Sequence, residues 1–280
     1  MGVHLRSVGR KAAAQDGTFP FTVPAIASLG ELDVAAPVTF FVGENGSGKS
    51  TLLEGIAMAA GLPAVGGADL ARDPTLTAQG RLGRALRLVW TKRAVRGFFL
   101  RAEDFFGFTK RLAQERADLL QQVAETEREY RSADRSAKAL SLAQGPLKSS
   151  LADMERRYGV DLDANSHGQS FLKLFRSRFV PGGLFLLDEP EAPLSPQSQL
   201  ALLVLLDDMV AQQGQFIIAT HSPILLAFPG ARIYSFDTPP VRAVAYDELD
   251  HVVLTRDFLN DPGQYLRRLQ HEDGAIRFRP

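Results

Sequence analysis

Four short runs of the chain are rich in apolar residues. These runs cover residues 37–42, 183–189, 215–219 and 232–236, and the second of them ends in two carboxylates. The first three have the length of one strand and predict buried strands, and residues 232–236 predict one more strand. Continuous apolar strands are typical of parallel sheets that are covered on both faces. The chain is therefore predicted to be α/β with a mainly parallel sheet.

Segments of mixed polarity predict the helices. Short helices are expected at residues 51–60, 171–178 and 200–210, and a long helical stretch covers residues 109–143. Gly145-Pro146 is expected to break that stretch, and a shorter helix resumes at residues 147–158. Its best heptad stripe is interrupted by Arg116 and Thr126, which favours a helical subdomain over a long coiled coil.

Other segments predict strands outside the four apolar runs. Residues 3–8 indicate an opening strand, and residues 86–90 and 97–101 indicate a strand pair joined through residues 91–96. Phe19 and Phe21 stand in an extended segment ahead of the most Gly-rich loop. Large apolar side chains are usually core, which is the favoured interpretation of both rings. The alternative is that one of them stacks on a nucleotide base.

Composition limits the class of protein. The chain has 280 residues, 45% of them hydrophobic and 23% charged, with a net charge of zero and no cysteine. These values are ordinary for a soluble globular protein, and they exclude disulfides and thiolate chemistry. No apolar run approaches the roughly 20 residues of a membrane helix, and no apolar signal core follows the N-terminus. The expected location is the cytoplasm, with no membrane span.

One stretch is locally basic. Between residues 81 and 111 nine lysines and arginines stand against only Glu103 and Asp104. A solvated face is the favoured interpretation of such a run. Contact with nucleic-acid phosphates is the weaker alternative.

The strongest motif follows the first apolar run. It comprises Gly43, Glu44, Asn45, Gly46, Ser47, Gly48, Lys49, Ser50 and Thr51. The spacing fits G-x-x-x-x-G-K-[ST], with a predicted strand before it and a predicted helix after it. Glycines allow backbone N–H groups to close around phosphate oxygens, and the helix N-terminus adds partial positive charge. Lys49 is predicted to contact the β- and γ-phosphates, and Ser50 to ligate magnesium.

Two later strands end in residues that suit the same chemistry. Ligands of parallel sheets bind at the carboxyl ends of the strands. Asp188 is therefore predicted to hold the magnesium, and Glu189 to orient and deprotonate the water that attacks the γ-phosphate. His221 follows the strand at residues 215–219 and is predicted to contact the γ-phosphate. A serine segment, Ser166-His167-Gly168-Gln169, opens a predicted helix, as a cap or as a second phosphate contact.

In this order, the loop, the serine segment, the Asp188-Glu189-Pro190 strand and Thr220-His221-Ser222 resemble the ATP-binding-cassette (ABC) ATPase family. The similarity is to its soluble branch of AAA-type predicted ATPases related to SMC-type heads. The resemblance implies an α/β P-loop NTPase lobe formed by residues 1–103 and 179–280. It also implies an inserted helical lobe, residues 104–178, that carries the signature segment. ATP and Mg²⁺ are the implied ligands.

The resemblance also implies an assembly and residue roles. Family members dimerise head to tail, with ATP between the loop of one subunit and the signature of the other. A homodimer acting on an effector protein is therefore expected. Ser166, Gly168 and Gln169 take the signature role, Glu189 the general-base role and His221 the switch role. Ser195 takes a dimer-contact role.

The chain departs from the family pattern at two places. His167 stands where the signature usually has Gly. Arg101 and Glu103 occupy the region of the usual glutamine, and Glu103 is a candidate to replace it beside the magnesium.

Three functions agree with these features. The first is an ATP-hydrolysing switch that drives a partner. The others are a non-hydrolysing ATP-binding module and the ATPase subunit of a membrane transporter. Glu189 favours the first over the second, because a module that does not hydrolyse ATP needs no base. The missing glutamine disfavours the third, because transporter ATPases contact their membrane partner there.

Overall fold

The structure is a computed structural model that describes residues 2–11, 17–65, 77–94, 96–158 and 167–272. Within these ranges the strands, in chain order, are β1 (Leu5–Arg10), β2 (Leu32–Asp33), β3 (Val38–Val42), β4 (Leu86–Trp90), β5 (Gly97–Arg101), β6 (Leu184–Asp188), β7 (Gln215–Ala219), β8 (Arg232–Ser235) and β9 (Arg242–Val244). The helices are α1 (Pro24–Ala27), α2 (Lys49–Ala60), α3 (Thr77–Ala85), α4 (Ala102–Ser132), α5 (Ala137–Tyr158), α6 (His167–Arg178), α7 (Pro196–Ala211), α8 (Pro223–Leu226), α9 (Asp250–Asn260) and α10 (Pro262–Glu272). A 3₁₀ turn at Tyr246–Glu248 precedes α9.

The main sheet confirms the predicted fold class. Among the described residues it has six strands in the order β5-β6-β7-β3-β8-β9, parallel except for β9. All four strands predicted from the apolar runs lie in this sheet. Because neighbouring strands run in the same direction, β3, β6, β7 and β8 bring their carboxyl ends to one edge.

Each apolar strand is buried because both faces of the sheet are covered. In β6, Leu184 and Leu186 point into one hydrophobic cluster, while Phe185 and Leu187 point into the other. The first cluster lies under α2 and the small N-terminal sheet, and the second lies under α6, α7 and α8. Alternate residues thus meet different cores, which explains the absence of polar alternation in the sequence.

A second sheet contains β1, β2 and β4. It is antiparallel, in the order β2-β1-β4. The buried side chain of Gln215, the first residue of β7, joins it to the main sheet. Its Oε1 accepts hydrogen bonds from the backbone N–H groups of His4 (2.9 Å) and Leu5 (2.8 Å). Its Nε2 donates to the carbonyls of Leu5 and Val34, both at 2.8 Å.

The predicted pairing of residues 86–90 with 97–101 is wrong, although both strands exist. β4 pairs with β1 in the small sheet, whereas β5 pairs in parallel with β6 in the main sheet. The reason is the burial of each strand. Phe98 and Phe99 of β5 enter the two different cores, so β5 fits a sheet covered on both faces. β4 exposes Arg87 and is only partly covered.

The long helical stretch is an antiparallel hairpin of α4 and α5. Its direction follows from two cross-helix contacts: Arg116 with Glu155, and Gln144 with the carbonyl of Val123. The predicted break at Gly145-Pro146 is wrong, because Pro146 lies inside α5. The chain turns at residues 133–136 instead.

Local interactions account for the position of that turn. Asp134 adopts a positive φ of 49°, and the Ser136 hydroxyl accepts from the N–H of Ala139 at the start of α5. Leu151 and Met154 of α5 are buried, and the helix continues through the proline.

Within the part of the chain that the structure describes, no helix has both the length and the apolar character needed to cross a membrane.

Candidate nucleotide site

The predicted phosphate loop connects β3 to α2 at the carboxyl edge of the main sheet. Gly43, Gly46 and Gly48 have φ values of 144°, 83° and 104°, which residues with a Cβ rarely adopt. Space is also restricted at the last of these glycines. A Cβ on Gly48 would lie 2.8 Å from Cγ1 of Val23. The loop therefore needs glycine for its backbone conformation and for close packing.

Lys49 lies across the loop that precedes it. Its Nζ donates to the carbonyls of Gly43 (2.5 Å) and Glu44 (3.0 Å), and only 4% of the residue is exposed. Burial lowers the pKa of Lys49, while the carboxylates of Glu189 and Asp188 oppose that effect. The ammonium group is thus held among backbone carbonyls at the centre of the loop.

Ser50 and Asp188 meet although 138 residues separate them in the chain. The Ser50 hydroxyl donates to Oδ1 of Asp188 at 3.0 Å. Burial raises the pKa of Asp188 to about 7, and the hydrogen bond from Ser50 acts in the opposite direction. A hydroxyl and a carboxylate are hard oxygen donors of the kind that magnesium prefers.

The described residues contain no group of three or more His, Cys, Asp or Glu side chains that could hold a metal by themselves. Magnesium commonly uses one or two carboxylates together with substrate phosphates and waters, so the Ser50–Asp188 pair fits such a site.

Glu189 and His221 face each other across the ends of β6 and β7. Oε1 of Glu189 lies 3.8 Å from Nε2 of His221, with side-chain exposures of 46% and 39%. Glu189 has a positive φ of 49°, and its N–H donates to the carbonyl of Ala219. Burial lowers the pKa of His221, and the Lys49 cation lowers it further. Both effects favour the neutral imidazole, which lies beside the accessible side chain of Glu189.

The sequence interpretation did not single out Glu191. Its Oε1 accepts from the backbone N–H of His221 at 2.7 Å, which ties the histidine loop to the turn after β6. Burial raises the pKa of Glu191, and a hydrogen bond from Thr220 opposes the rise. The available signal was a third carboxylate within the Asp-Glu-Pro-Glu segment.

The sequence interpretation also did not single out Asp237. It follows β8, and its Oδ1 accepts from the N–H of Glu44 at 2.7 Å, so it holds the start of the phosphate loop. The rule that placed Asp188 at a strand end applies equally here. The sequence alone did not reveal that β8 lies beside β3.

The region of the family glutamine contains an ion pair instead. Arg101, the last residue of β5, pairs with the buried carboxylate of Glu54 on α2. Arg101 and Asp188 are also register partners on neighbouring strands. Glu103, the proposed substitute, is exposed in the first turn of α4.

The predicted signature segment is only partly described. Ser166 lies outside the described residues. Gly168 and Gln169 lie in the first turn of α6, where the structure describes the backbone but not their side chains. Ser195 caps α7, with its Oγ accepting from the N–H of Ser198 at 3.2 Å.

Phe19 and Phe21, the two aromatic residues ahead of the loop, differ in their exposure to solvent. Phe21 is core at 8% exposure, whereas Phe19 is 48% exposed. The prediction that both rings are core is therefore wrong for Phe19. The neighbouring Thr18 hydroxyl and Phe19 carbonyl both accept from Arg81.

Three cations of the basic run are engaged within the protein. Arg81 bonds to the Thr18–Phe19 segment, Arg87 pairs with Glu31 at 3.1 Å, and Arg101 pairs with Glu54. These contacts leave fewer of the nine cations available to nucleic acid.

A cavity of about 740 Å³ adjoins the phosphate loop. On one side it is lined by loop residues 43–47 and by His221, and on the other by residues after β8. Its size is within the range of small-molecule sites, roughly 300–1,000 Å³.

Two segments of the chain match models of protein families. Residues 20–69, which carry the phosphate loop, match a family described as an AAA domain. Residues 171–227, which carry Asp188, Glu189 and His221, match a family described as an AAA domain, putative AbiEii toxin, type IV TA system. These matches confirm the AAA-type part of the predicted resemblance. No curated protein matches the chain.

Solved structures resemble the chain over most of their length. The Smc head domain from Pyrococcus furiosus, solved with an extended coiled coil and bound to the C-terminal domain of ScpA, has a TM-score of 0.43 at 11% identity. That match covers 95% of this chain and 99% of the Smc chain. CbiO1 from Clostridium perfringens, part of the ABC transporter complex cbiONQ, scores 0.47 at 16% identity and covers 95% and 98%. The SMC head domain from Thermotoga maritima scores 0.42 at 13%, covering 86% and 98%. At these scores and identities the likenesses do not decide activity, partners or assembly.

Proposed function

We propose that the protein is an ATPase that binds ATP with Mg²⁺ and hydrolyses it between two subunits, as a switch acting on a partner protein. The observation that carries the proposal is the 3.0 Å hydrogen bond from Ser50 to Asp188. It joins the end of the phosphate loop to the end of β6, and both residues have the oxygen donors that a nucleotide-bound magnesium needs. The two AAA-domain matches cover the same two segments.

The loop binds the phosphates in this proposal. Its N–H groups and the N-terminus of α2 offset phosphate charge. Lys49, now bonded to the carbonyls of Gly43 and Glu44, exchanges those contacts for β- and γ-phosphate oxygens. Since the lysine is already held at the centre of the loop, little rearrangement is required.

Ser50 and Asp188 would hold Mg²⁺. When bound, the ion neutralises charge on the phosphates and fixes their orientation. Burial raises the pKa of Asp188 to about 7. The positive charge of the ion would favour the ionised carboxylate and so oppose that effect.

Glu189 acts as the base in this mechanism. It is accessible, follows Asp188 by one residue, and can accept a proton from a water aligned with the γ-phosphate. Neutral His221 donates to the γ-phosphate, and Glu191 fixes the backbone that carries the imidazole.

Calorimetry tests the binding step. Lys49→Ala should lose most of its affinity for Mg²⁺-ATP, because the ammonium group is the main side-chain cation of the loop. Lys148→Ala, a substitution of an exposed lysine in α5, is the matched control and should bind like wild type. Equal ATP affinity in wild type and Lys49→Ala would refute the assignment.

The active site is proposed to be shared between two copies of the chain. Residues 1–103 and 179–280 would form the nucleotide-binding lobe, and residues 104–178 the helical lobe that carries Ser166, Gly168 and Gln169. The phosphate loop covers the nucleotide from one side only, and charge spreads onto the outer γ-phosphate oxygens in the transition state, where further donors would stabilise it. A second subunit related by a two-fold axis would supply its signature segment there, giving two equivalent sites. Ser195 is the proposed dimer contact.

Complementation tests the shared site. Lys49→Ala and Ser166→Arg should each be inactive alone. Mixed heterodimers should regain one working site, formed from the intact loop of one chain and the intact signature of the other. If heterodimers form without regaining turnover, the shared site is wrong.

Binding of ATP would bridge the subunits and hydrolysis would release them, which gives two assemblies that a partner can distinguish. Glu189→Gln should hold the bridged state. Size-exclusion chromatography with light scattering should therefore detect an ATP-dependent dimer of this variant. A Glu189→Gln variant that stays monomeric with ATP bound would contradict the switch.

A further inference from the structure

The cavity beside the phosphate loop has a second wall, which belongs neither to that loop nor to the Asp188-Glu189-Pro190 segment. The segment from the end of β8 to the start of α9 forms this wall, and it contains Asp237, Arg242 and His251. Asp237 joins it to the loop through the 2.7 Å bond from the N–H of Glu44. Whatever occupies the loop therefore faces the C-terminal segment as well.

His251 carries a buried ring nitrogen without a hydrogen-bond partner. Within the described residues its Nε2 makes no hydrogen bond, and the same is true of Nε2 in His221. A histidine that only supports the fold normally satisfies this atom. In this chain His4 does so, with its Nε2 placed 3.1 Å from the carbonyl of Gln213. An unsatisfied buried polar atom is energetically unfavourable, and a ligand that bonds to it relieves that cost.

Burial and the neighbouring acids act in opposite directions on the pKa of His251. Burial lowers its pKa, and the carboxylates of Asp237, Glu44 and Asp250 oppose that effect. Two acids of the wall are hydrogen-bonded within the protein. Asp237 also accepts from the Ser235 hydroxyl, and Glu248 of the same wall accepts from the N–H of Ala245. Arg242 adds a cation to the cavity lining.

We propose that His251 is a nucleotide-binding residue that donates from Nε2 to the terminal phosphate of a bound nucleoside triphosphate, opposite the phosphate loop. The inference rests on the proposed function and assigns a second histidine to that site. The same side chain lines the cavity, so a change of its χ2 angle would be needed to direct the buried Nε2 toward a ligand there. His221 approaches from the end of β7 and His251 from α9, so two neutral imidazoles contact the phosphate from different elements.

The consequence is discrimination between triphosphate and diphosphate. The loop amides contact phosphates that both nucleotides share, and Lys49 contacts the β-phosphate of both as well as the γ-phosphate. His251 would contact only the terminal phosphate of the triphosphate. Loss of His251 should therefore reduce affinity for the triphosphate selectively. It would also couple α9 to the presence of the terminal phosphate.

Calorimetry with Mg²⁺, a non-hydrolysable ATP analogue and ADP tests the inference. His251→Ala should lower affinity for the analogue about tenfold, the size of one hydrogen bond to a charged group, and leave ADP affinity unchanged. His251→Gln keeps an N–H donor and should recover part of the loss. Leu254→Ala is the control, because Leu254 is on the same helix, is 55% exposed and does not line the cavity.

The outcomes separate this inference from the proposed function. Unchanged analogue affinity in His251→Ala would overturn the inference while leaving the ATPase proposal intact. An equal loss for both nucleotides would also overturn it, since it would indicate general disturbance of the cleft. If the wild type bound neither nucleotide, both proposals would fail.

Discussion

The main parallel sheet and the α4–α5 hairpin differ in the interactions that hold them together. Strands of the sheet are buried on both faces, and rings such as Phe185 and Phe216 stack at 5.1 Å between centroids. The hairpin instead holds its helices together with a few apolar contacts and several polar ones, among them Arg116 to Glu155 at 3.0 Å. Leu120 and Leu142 of the hairpin are 43% and 71% exposed.

This difference indicates where function can be located. Catalysis requires groups fixed within fractions of an ångström, and the rigid sheet supplies this at its carboxyl edge. The hairpin has a lower density of buried contacts, so it is better suited to moving or to presenting a surface. The predictions below test this contrast, beginning with the largest expected effect.

Glu189→Gln should reduce ATP turnover by about 10²–10⁴ and retain ATP binding, because the amide cannot accept the proton. Steady-state phosphate release measures the effect. Glu115→Gln, at an exposed position in α4, is the control and should leave turnover unchanged. Turnover of Glu189→Gln within about threefold of wild type would be too close for a catalytic base.

Phe185→Ala should destabilise the fold by about 3–5 kcal/mol, because it leaves a cavity beside the rings of Phe98, Phe179 and Phe216. Leu142→Ala in the hairpin should change the free energy of unfolding by no more than about 0.5 kcal/mol. Denaturant unfolding of both variants gives the comparison. Similar losses would contradict the contrast between the two regions.

Glu191→Gln should change the pH dependence of stability. Burial raises the folded-state pKa of Glu191 above its ordinary value of 4.5. The stability associated with the protonated carboxyl is fully present below the unfolded pKa and is lost as pH rises through the folded pKa. Wild type should therefore lose stability relative to Glu191→Gln as pH rises above about 4.5. Parallel stability curves from pH 4 to pH 8 would show that the carboxyl pays no burial penalty.

Gln144→Ala tests the best buried polar contact of the hairpin. The residue is 3% exposed, and its Nε2 donates to the carbonyl of Val123 at 3.0 Å. Loss of this bond should cost about 1 kcal/mol, with the fold and turnover retained. A loss above about 4 kcal/mol would indicate that the hairpin is as tightly packed as the sheet.

The smallest effect is expected from the Arg116–Glu155 pair, whose side chains are 28% and 33% exposed. A double-mutant cycle with Arg116→Ala and Glu155→Ala should give a coupling of about 0.2–1 kcal/mol that decreases with added salt. A coupling that is large and independent of salt would show that the pair is buried in solution.

Local chemistry made part of this structure predictable. Gly43, Gly46 and Gly48 adopt positive φ. This was predictable from the sequence because glycine is the residue that adopts such angles at no steric cost. The four apolar runs were predictable as strands for a similar reason. A chain segment with no polar alternation fits a sheet covered on both faces.

The candidate site was predictable only where it lies next to such a strand. Asp188 and Glu189 follow a buried run, so the parallel-sheet rule could place them near the loop. Asp237 and His251 had no comparable signal. Their positions depend on which strand lies beside β3 and on how α9 packs over the loop.

The sequence by itself therefore determined the phosphate loop, the buried strands and the acidic strand end, since each is a property of a few consecutive residues. Tertiary structure decided the rest. It separated β4 from β5 into two sheets, placed the hairpin turn at residues 133–136 and brought Glu44 to Asp237 across 193 positions of the chain. These outcomes depend on contacts between distant segments, whose free energies exceed the local preferences of a Gly-Pro pair or of two adjacent strands.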